Sequence, residues 1–350
     1  MRLISALVLI SLAVVSCKKD DPTISDNIAI NNGMMVICEG LFQQNNSTLS
    51  FVNFNTNQSL NGFFLQTSGR ELGDTGNDMK RYGGKIYAII NGSSTIEVIS
   101  GVTGVSIKQI AMVEGGIAKQ PRSVAFYQDK ILVSCYDGYV DVIDTSSLEV
   151  EQRILVGSNP EGMAVSNGML FVANSGGLNF PNVDSTVSVV NLSTFTEELK
   201  ITVGKNPAGV EVDDQGDIYV ITRGDYGAIP SRLNKINTTS YAVTQFTFDA
   251  SSIARMNGSF LIGYSDFSTG DNQIGLFNPA SDVMTNPTFL DLSAVQTLYG
   301  ITYHPGLDRI FISDAMDFVT TGYVFEFNGA GIYENSYHVG LNPSKIVFYD

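Results

Sequence analysis

Val156-Gly157-Ser158-Asn159-Pro160, Val203-Gly204-Lys205-Asn206-Pro207 and Val339-Gly340-Leu341-Asn342-Pro343 are three copies of one pentapeptide, Val-Gly-x-Asn-Pro. The first two begin 47 residues apart and the last two 136, about three times 45, so a unit of roughly propeller-blade length recurs. Each copy precedes a short apolar run. After the first copy the chain reads Gly162-Met163-Ala164-Val165, a Ser166-Asn167-Gly168 turn, Leu170-Phe171-Val172-Ala173, a long loop, Thr186-Val187-Ser188-Val189-Val190, and a last run over 197–203. Period-two alternation with turn punctuation predicts four antiparallel strands. Proline cannot donate to a sheet ladder, so Pro160, Pro207 and Pro343 are expected just before a first strand.

The same template fits residues 73–116, 120–157, 206–249, 251–292 and 297–340, giving six complete units with the quoted one. The chain ends supply a seventh. Asn342 to Phe348 is a first strand with nothing after it, while Met34-Met35-Val36-Ile37-Cys38, the run over 48–54 and Phe63-Phe64-Leu65 read as later strands with no first strand before them. Pairing the two ends closes a ring and removes exposed edges. The predicted fold is therefore an all-β, seven-bladed propeller of four-stranded antiparallel blades, over residues 34–350. An eight-fold ring or a pair of β-sandwiches is the competing arrangement. The 34 glycines, 10% aromatics and 16% charged residues suit one all-β body.

The N-terminus reads as an export signal. Arg2 is a basic start, residues 3–15 form an apolar stretch too short to span a bilayer, and Val14-Val15-Ser16-Cys17 has the form of a lipoprotein cleavage site. Residues 1–16 are expected to be a signal peptide, Cys17 the acylated first residue of the mature chain, and residues 17–33 a tether. The membrane would hold the protein by that lipid, without a spanning segment. Lys18-Lys19-Asp20-Asp21 after the cysteine resembles the surface-export signal of Bacteroidetes lipoproteins, which implies an outer-membrane, cell-surface location.

Cys38 and Cys135 fall in different, non-adjacent blades, out of bridging range, and are expected to be small buried hydrophobes. The formal charge is −15, and −16 once Arg2 leaves with the signal. Such an acidic body repels phosphate backbones and makes nucleic acid a poor partner. No catalytic residue and no metal site is predicted. His304 and His338 stand alone, as turn or packing residues, and no nucleophile elbow, Cys-x-x-Cys pair, phosphate loop or His-Glu-x-x-His motif occurs. Asp213-Asp214-Gln215-Gly216-Asp217 reads as a hairpin turn in preference to a calcium loop.

The loops after each second strand resist the template. Most carry an aromatic ring among amides, glycines and carboxylates: Phe42, Tyr136, Phe180, Tyr226, Tyr264 with Phe267, and Phe318. They share a rim with the links between blades. Rings beside fixed polar groups suit a large, partly apolar, hydrogen-bonding ligand. The same rings could instead fold back over the blade edges. Arg122 and Arg223 are rare cations there, placed either to meet a ligand phosphate or carboxylate or to pair with Asp137 or Asp225. Asp314 completes the expected ligand-binding set. Glu39, Glu161 and Asp314 are the carboxylates a channel hydrolase would need.

The pentapeptide followed by Leu-Phe-Val-Ala-Asn over 170–174 is similar to that of YncE-like seven-bladed propellers. Cys38-Glu39-Gly40-Leu41-Phe42 through Ser50, and Tyr299-Gly300-Ile301-Thr302 through Asp317, resemble the surface lipoprotein propellers of Bacteroidetes, including the BtuG-type corrinoid-capture proteins. The resemblance spans residues 34–350. It implies a non-enzymatic role in which a corrinoid such as cobalamin is held on the rim as a ligand, no cofactor being required, and passed to a TonB-dependent outer-membrane transporter. The alternatives are a protein-binding scaffold or lid of an outer-membrane complex, and a metal-dependent lactonase-like hydrolase.

Overall fold

The computed structural model describes residues 30–266 and 269–349. Seven four-stranded antiparallel sheets form the seven expected blades. The first strands are Gly76–Tyr82, Pro121–Tyr127, Pro160–Ser166, Pro207–Val212, Ser252–Met256, Leu298–His304 and Pro343–Tyr349, in blades one to seven. Each contacts the next around a closed ring, with the last against the first. The seventh blade joins the chain ends: Gly33–Cys38 pairs with Pro343–Tyr349 on one side and Thr48–Asn53 on the other. Gly33 opens the first described strand, and Ile30 ahead of it is already buried.

The hydrophobic core is distributed between the blades. Seven apolar clusters each span one seam, as where Ile89 and Val98 of the first blade meet Val124 and Val133 of the second, or Val36 of the seventh meets Phe311 and Val324 of the sixth. A blade in isolation would leave both faces wet. Closure therefore buries the last two faces and pairs the edge that Gly33–Cys38 would otherwise expose.

Two sequence expectations are corrected. Phe63-Phe64-Leu65 is no strand; Phe63–Ser68 is a short helix between left-handed Gly62 and Gly69, and the fourth strand of the seventh blade is Gln58–Leu60. Consecutive Phe63 and Phe64 are both buried, which an edge strand with alternating faces cannot arrange, whereas neighbours on a helix lie about 100° apart. Pro160, Pro207 and Pro343 are the first residues of their strands and do not precede them. The ladder slips directly after each, so the missing N–H falls at a bulge. Among the described residues, no helix is long and apolar enough to cross a membrane.

Candidate functional site

Slips at the start of the first strand occur in six blades. Pairing skips Asn77, Arg122, Glu161 with Gly162, Ala208 with Gly209, Tyr299 and Ser344, while the fifth blade pairs in regular register from Ser252. A bulge releases a side chain from the alternation of its strand and re-aims it. The preceding residue is left-handed at Thr75, Gln120, Asn159, Asn206 and Asn342, with φ between 44° and 58°. Asparagine tolerates that region, which accounts for its place in the repeated pentapeptide.

A second repeated bond brings the loops to the bulges. The residue after the second strand donates its N–H to the carbonyl just before the first strand: Tyr136 to Gln120, Ser175 to Asn159, Arg223 to Asn206 and Glu39 to Asn342, at 2.9–3.2 Å. Glu39, Tyr136 and Arg223 thus share one position in three blades, and Arg122, Glu161 and Tyr299 share another.

These six side chains converge at one mouth of the ring. Arg122 Nε and Nη2 donate to Glu161 Oε2 at 3.2 and 3.1 Å, Arg223 Nη1 to Oε1 at 3.2 Å, and the Tyr136 hydroxyl to Oε1 at 2.6 Å. The Arg122 guanidinium also lies 4.7 Å from the centre of the Tyr136 ring. Burial would push the Glu161 carboxyl up, but the charges of Arg122 and Arg223 and the Tyr136 hydroxyl outweigh it and hold it down at about 2. At the sixth-to-seventh-blade side, the Tyr299 hydroxyl donates to Glu39 Oε2 at 2.7 Å. Burial holds the Glu39 carboxyl above its ordinary range, only partly offset by Tyr299 and the charge of Arg122.

Exposed rings stand on the loops beside this polar floor. Phe42, Phe180 and Tyr226 are 66%, 57% and 71% exposed, and Phe318 is partly exposed. The Phe180 and Tyr226 rings meet at 6.2 Å, those of Phe318 and Tyr299 edge-on at 5.8 Å. The Tyr226 hydroxyl accepts from Asn206 Nδ2 at 3.1 Å. Tyr226 and Phe318 both have left-handed backbones, at φ 56° and 66°, costly for bulky side chains.

Several sequence-predicted residues sit differently. Neither arginine pairs with the aspartate expected as its alternative partner: Asp137 is held by Arg153, and Asp225 lies 3.5 Å from Lys205. The shared partner, Glu161, is distant in sequence, so only the fold reveals it. Asp314 is fully buried, accepting from the amides of Gln296, Thr297 and Met316, so it braces its loop and offers no oxygen to the mouth. Tyr264 belongs to the strand Ser259–Asp266, paired opposite Gln273, and is not a loop residue. Phe267 and Cys17 lie outside the described residues.

Cys38 and Cys135 are free, buried thiols, and burial pushes the Cys38 thiol up to about 11. His304 Nδ1 accepts from the Leu307 amide and the ring packs on Phe348; His338 Nε2 bonds the Thr321 hydroxyl. Asp213 Oδ1 receives the amides of Gln215 and Asp217, closing the hairpin turn read from sequence. Among the described residues no group of three His, Cys, Asp or Glu side chains could hold a metal. A cleft of about 560 Å³ flanks the fifth blade between Asn272 and Asp291, and among the described residues no aromatic or cationic side chain lines it.

Residues 32–337 match the family described as a domain of unknown function, DUF5074. The chain belongs to that family. Comparison with the curated proteins finds no match. Among solved structures, a quinoprotein alcohol dehydrogenase-like protein from Bacteroides thetaiotaomicron superposes with a TM-score of 0.67 at 12% identity, over 91% of this chain and 79% of that one. Hydrazine synthase from Kuenenia stuttgartiensis gives 0.57 at 16% identity, over 70% and 74%. The computationally designed Ika8 protein gives 0.51 at 9%, over 74% and 85%. At these identities the DUF5074 chain shares a fold with them, and chemistry does not transfer.

Proposed function

We propose that this DUF5074 protein is a ligand-capture lipoprotein whose receptacle is the mouth floored by Glu161, Arg122, Arg223, Tyr136, Glu39 and Tyr299. The observation that carries the reading is the convergence of bulge-projected and loop side chains from several blades onto one polar floor, ringed by exposed Phe42, Phe180, Tyr226 and Phe318. Fixed donors under a ring of aromatic surfaces suit a large ligand with an apolar body and polar edges. The floor is a poor hydrolytic centre: its most buried carboxylate, Glu161, is saturated by three donors and has no oxygen free to act as a base.

The residue pattern shared with BtuG-type propellers makes a corrinoid the leading candidate. The lipoprotein-like signal over residues 1–16, with Cys17 and the tether after it, supports outer-membrane surface display and hand-off to a TonB-dependent transporter. Exposed apolar tips such as Leu178 and Val319, on the same loops, offer that transporter a surface to meet.

The test is direct. The full chain is mixed with cyanocobalamin and desalted; retention of the corrinoid absorbance with the protein is expected. Elution of all colour in the small-molecule fraction rejects corrinoid as the ligand.

A further inference from the structure

Arg223 is the more exposed and less committed of the two mouth arginines. Its side chain is 38% exposed, against 17% for Arg122, and among the described residues its guanidinium makes a single hydrogen bond, to Glu161. A guanidinium carries five N–H donors, so most of its fork is uncommitted. Glu161 cannot absorb more, because its two oxygens already take Arg122, Tyr136 and Arg223. Two guanidinium groups thus share the one Glu161 carboxylate.

The other acids nearby are committed elsewhere. Asp225 receives the amides of Gly227 and Ile229 and sits beside Lys205, and Glu39 is bonded to Tyr299. Beside Arg223, the Asn206 carbonyl accepts the Arg223 amide and the Asn206 side chain donates to Tyr226, whose exposed ring stands by that of Phe180. A partly exposed cation is therefore tied through one asparagine to a pair of exposed rings.

We propose that Arg223, with Tyr226 and Phe180, forms an anion subsite that takes a phosphate or carboxylate attached to a flat apolar ring system. The inference deepens the capture reading of the same mouth and rests on it. Bidentate oxyanion recognition is what a guanidinium fork does best, and flat rings are what the paired aromatics can cover.

The probes are 1-naphthyl phosphate, 1-naphthol and inorganic phosphate, measured by equilibrium dialysis against the full chain. Naphthyl phosphate is expected to bind about tenfold or more tighter than either naphthol or inorganic phosphate, as a charge-assisted bond supplies. Arg223→Gln removes that advantage, weakening naphthyl phosphate far more than naphthol; Arg223→Lys keeps part of it; Tyr226→Ala weakens both naphthyl probes alike. Glu161 keeps Arg122 and Tyr136 in the Gln variant. If that variant nevertheless loses its cooperative melt, the wild-type salt series decides: added salt should weaken naphthyl phosphate and not naphthol. Equal binding of the two naphthyl probes, no binding of either, or an unchanged Arg223→Gln affinity overturns the subsite. Cyanocobalamin retention on the same samples separates the readings. Retention without an Arg223 effect on naphthyl phosphate leaves capture standing and removes the subsite; the reverse removes the corrinoid.

Discussion

Arg122 and Glu161 occupy the same bulge position in successive blades, and their side chains meet at 3.1 Å across the seam. Repetition has placed one residue per blade at a common height. Divergence has then made a cation of one and an anion of its neighbour.

Glu161→Gln tests that pair. A carboxyl depressed by folding from 4.5 to about 2 contributes stability above its unfolded value and loses it as pH falls through about 2. The contribution at neutral pH is about 3 kcal/mol from the shift, of the size expected when a buried pair is broken. Urea titrations at pH 7 should show that loss in the variant. Between pH 4.5 and 2 the wild type should decline more steeply than the variant, and parallel declines would refute the assignment.

Glu39→Gln should act in the opposite direction. A carboxyl raised on folding contributes stability below its ordinary 4.5 and loses it as pH rises through the higher folded value. The amide oxygen of Gln can still accept from Tyr299 while removing the cost of a desolvated charge. Higher stability than wild type at pH 7, shrinking toward pH 4, is the expected result in paired melting curves. A variant less stable at pH 7 would show that ionised Glu39 is well compensated.

Asn159 offers a backbone test. At φ 44° its side chain donates to the Tyr136 carbonyl at 2.9 Å and accepts from the Leu178 amide at 3.1 Å. Asn159→Ala loses both bonds and adds a Cβ in the left-handed region; Asn159→Gly loses the bonds alone. Alanine should therefore cost about 1 kcal/mol more than glycine. Equal costs in denaturant unfolding would remove the conformational explanation of the repeated asparagine.

Deleting residues 343–350 strips the innermost strand from the seventh blade and uncovers Gly33–Cys38, whose residues are otherwise all buried. Larger oligomers or aggregates should replace the wild-type peak in size-exclusion chromatography. A monomeric truncation with an unchanged melt would show that closure contributes little.

The ring was legible because its cause is periodic: the pentapeptide marks blade starts, and an orphan first strand at residue 343 matches orphan later strands from residue 34. Phe63-Phe64 misled because an apolar run of that length suits a strand or a helix until burial is known. Phe42, Phe180, Tyr226 and Phe318 were readable as rings without a core to enter. Glu39 and Glu161 were visible only as generic carboxylates, and Tyr299 only as the start of a stretch that resembles other propellers. The roles of Glu161 and Tyr299 depend on a bulge, which alternation cannot reveal, and all three depend on partners brought from other blades.

The bulges also divide the labour of the chain. A side chain excluded from the ladder can be exchanged without disturbing the hydrogen-bonded pairs on either side of it. Positions 77, 122, 161, 299 and 344 therefore behave like the movable type of a fixed press: each letter can be reset singly while the frame that holds the letters stays locked.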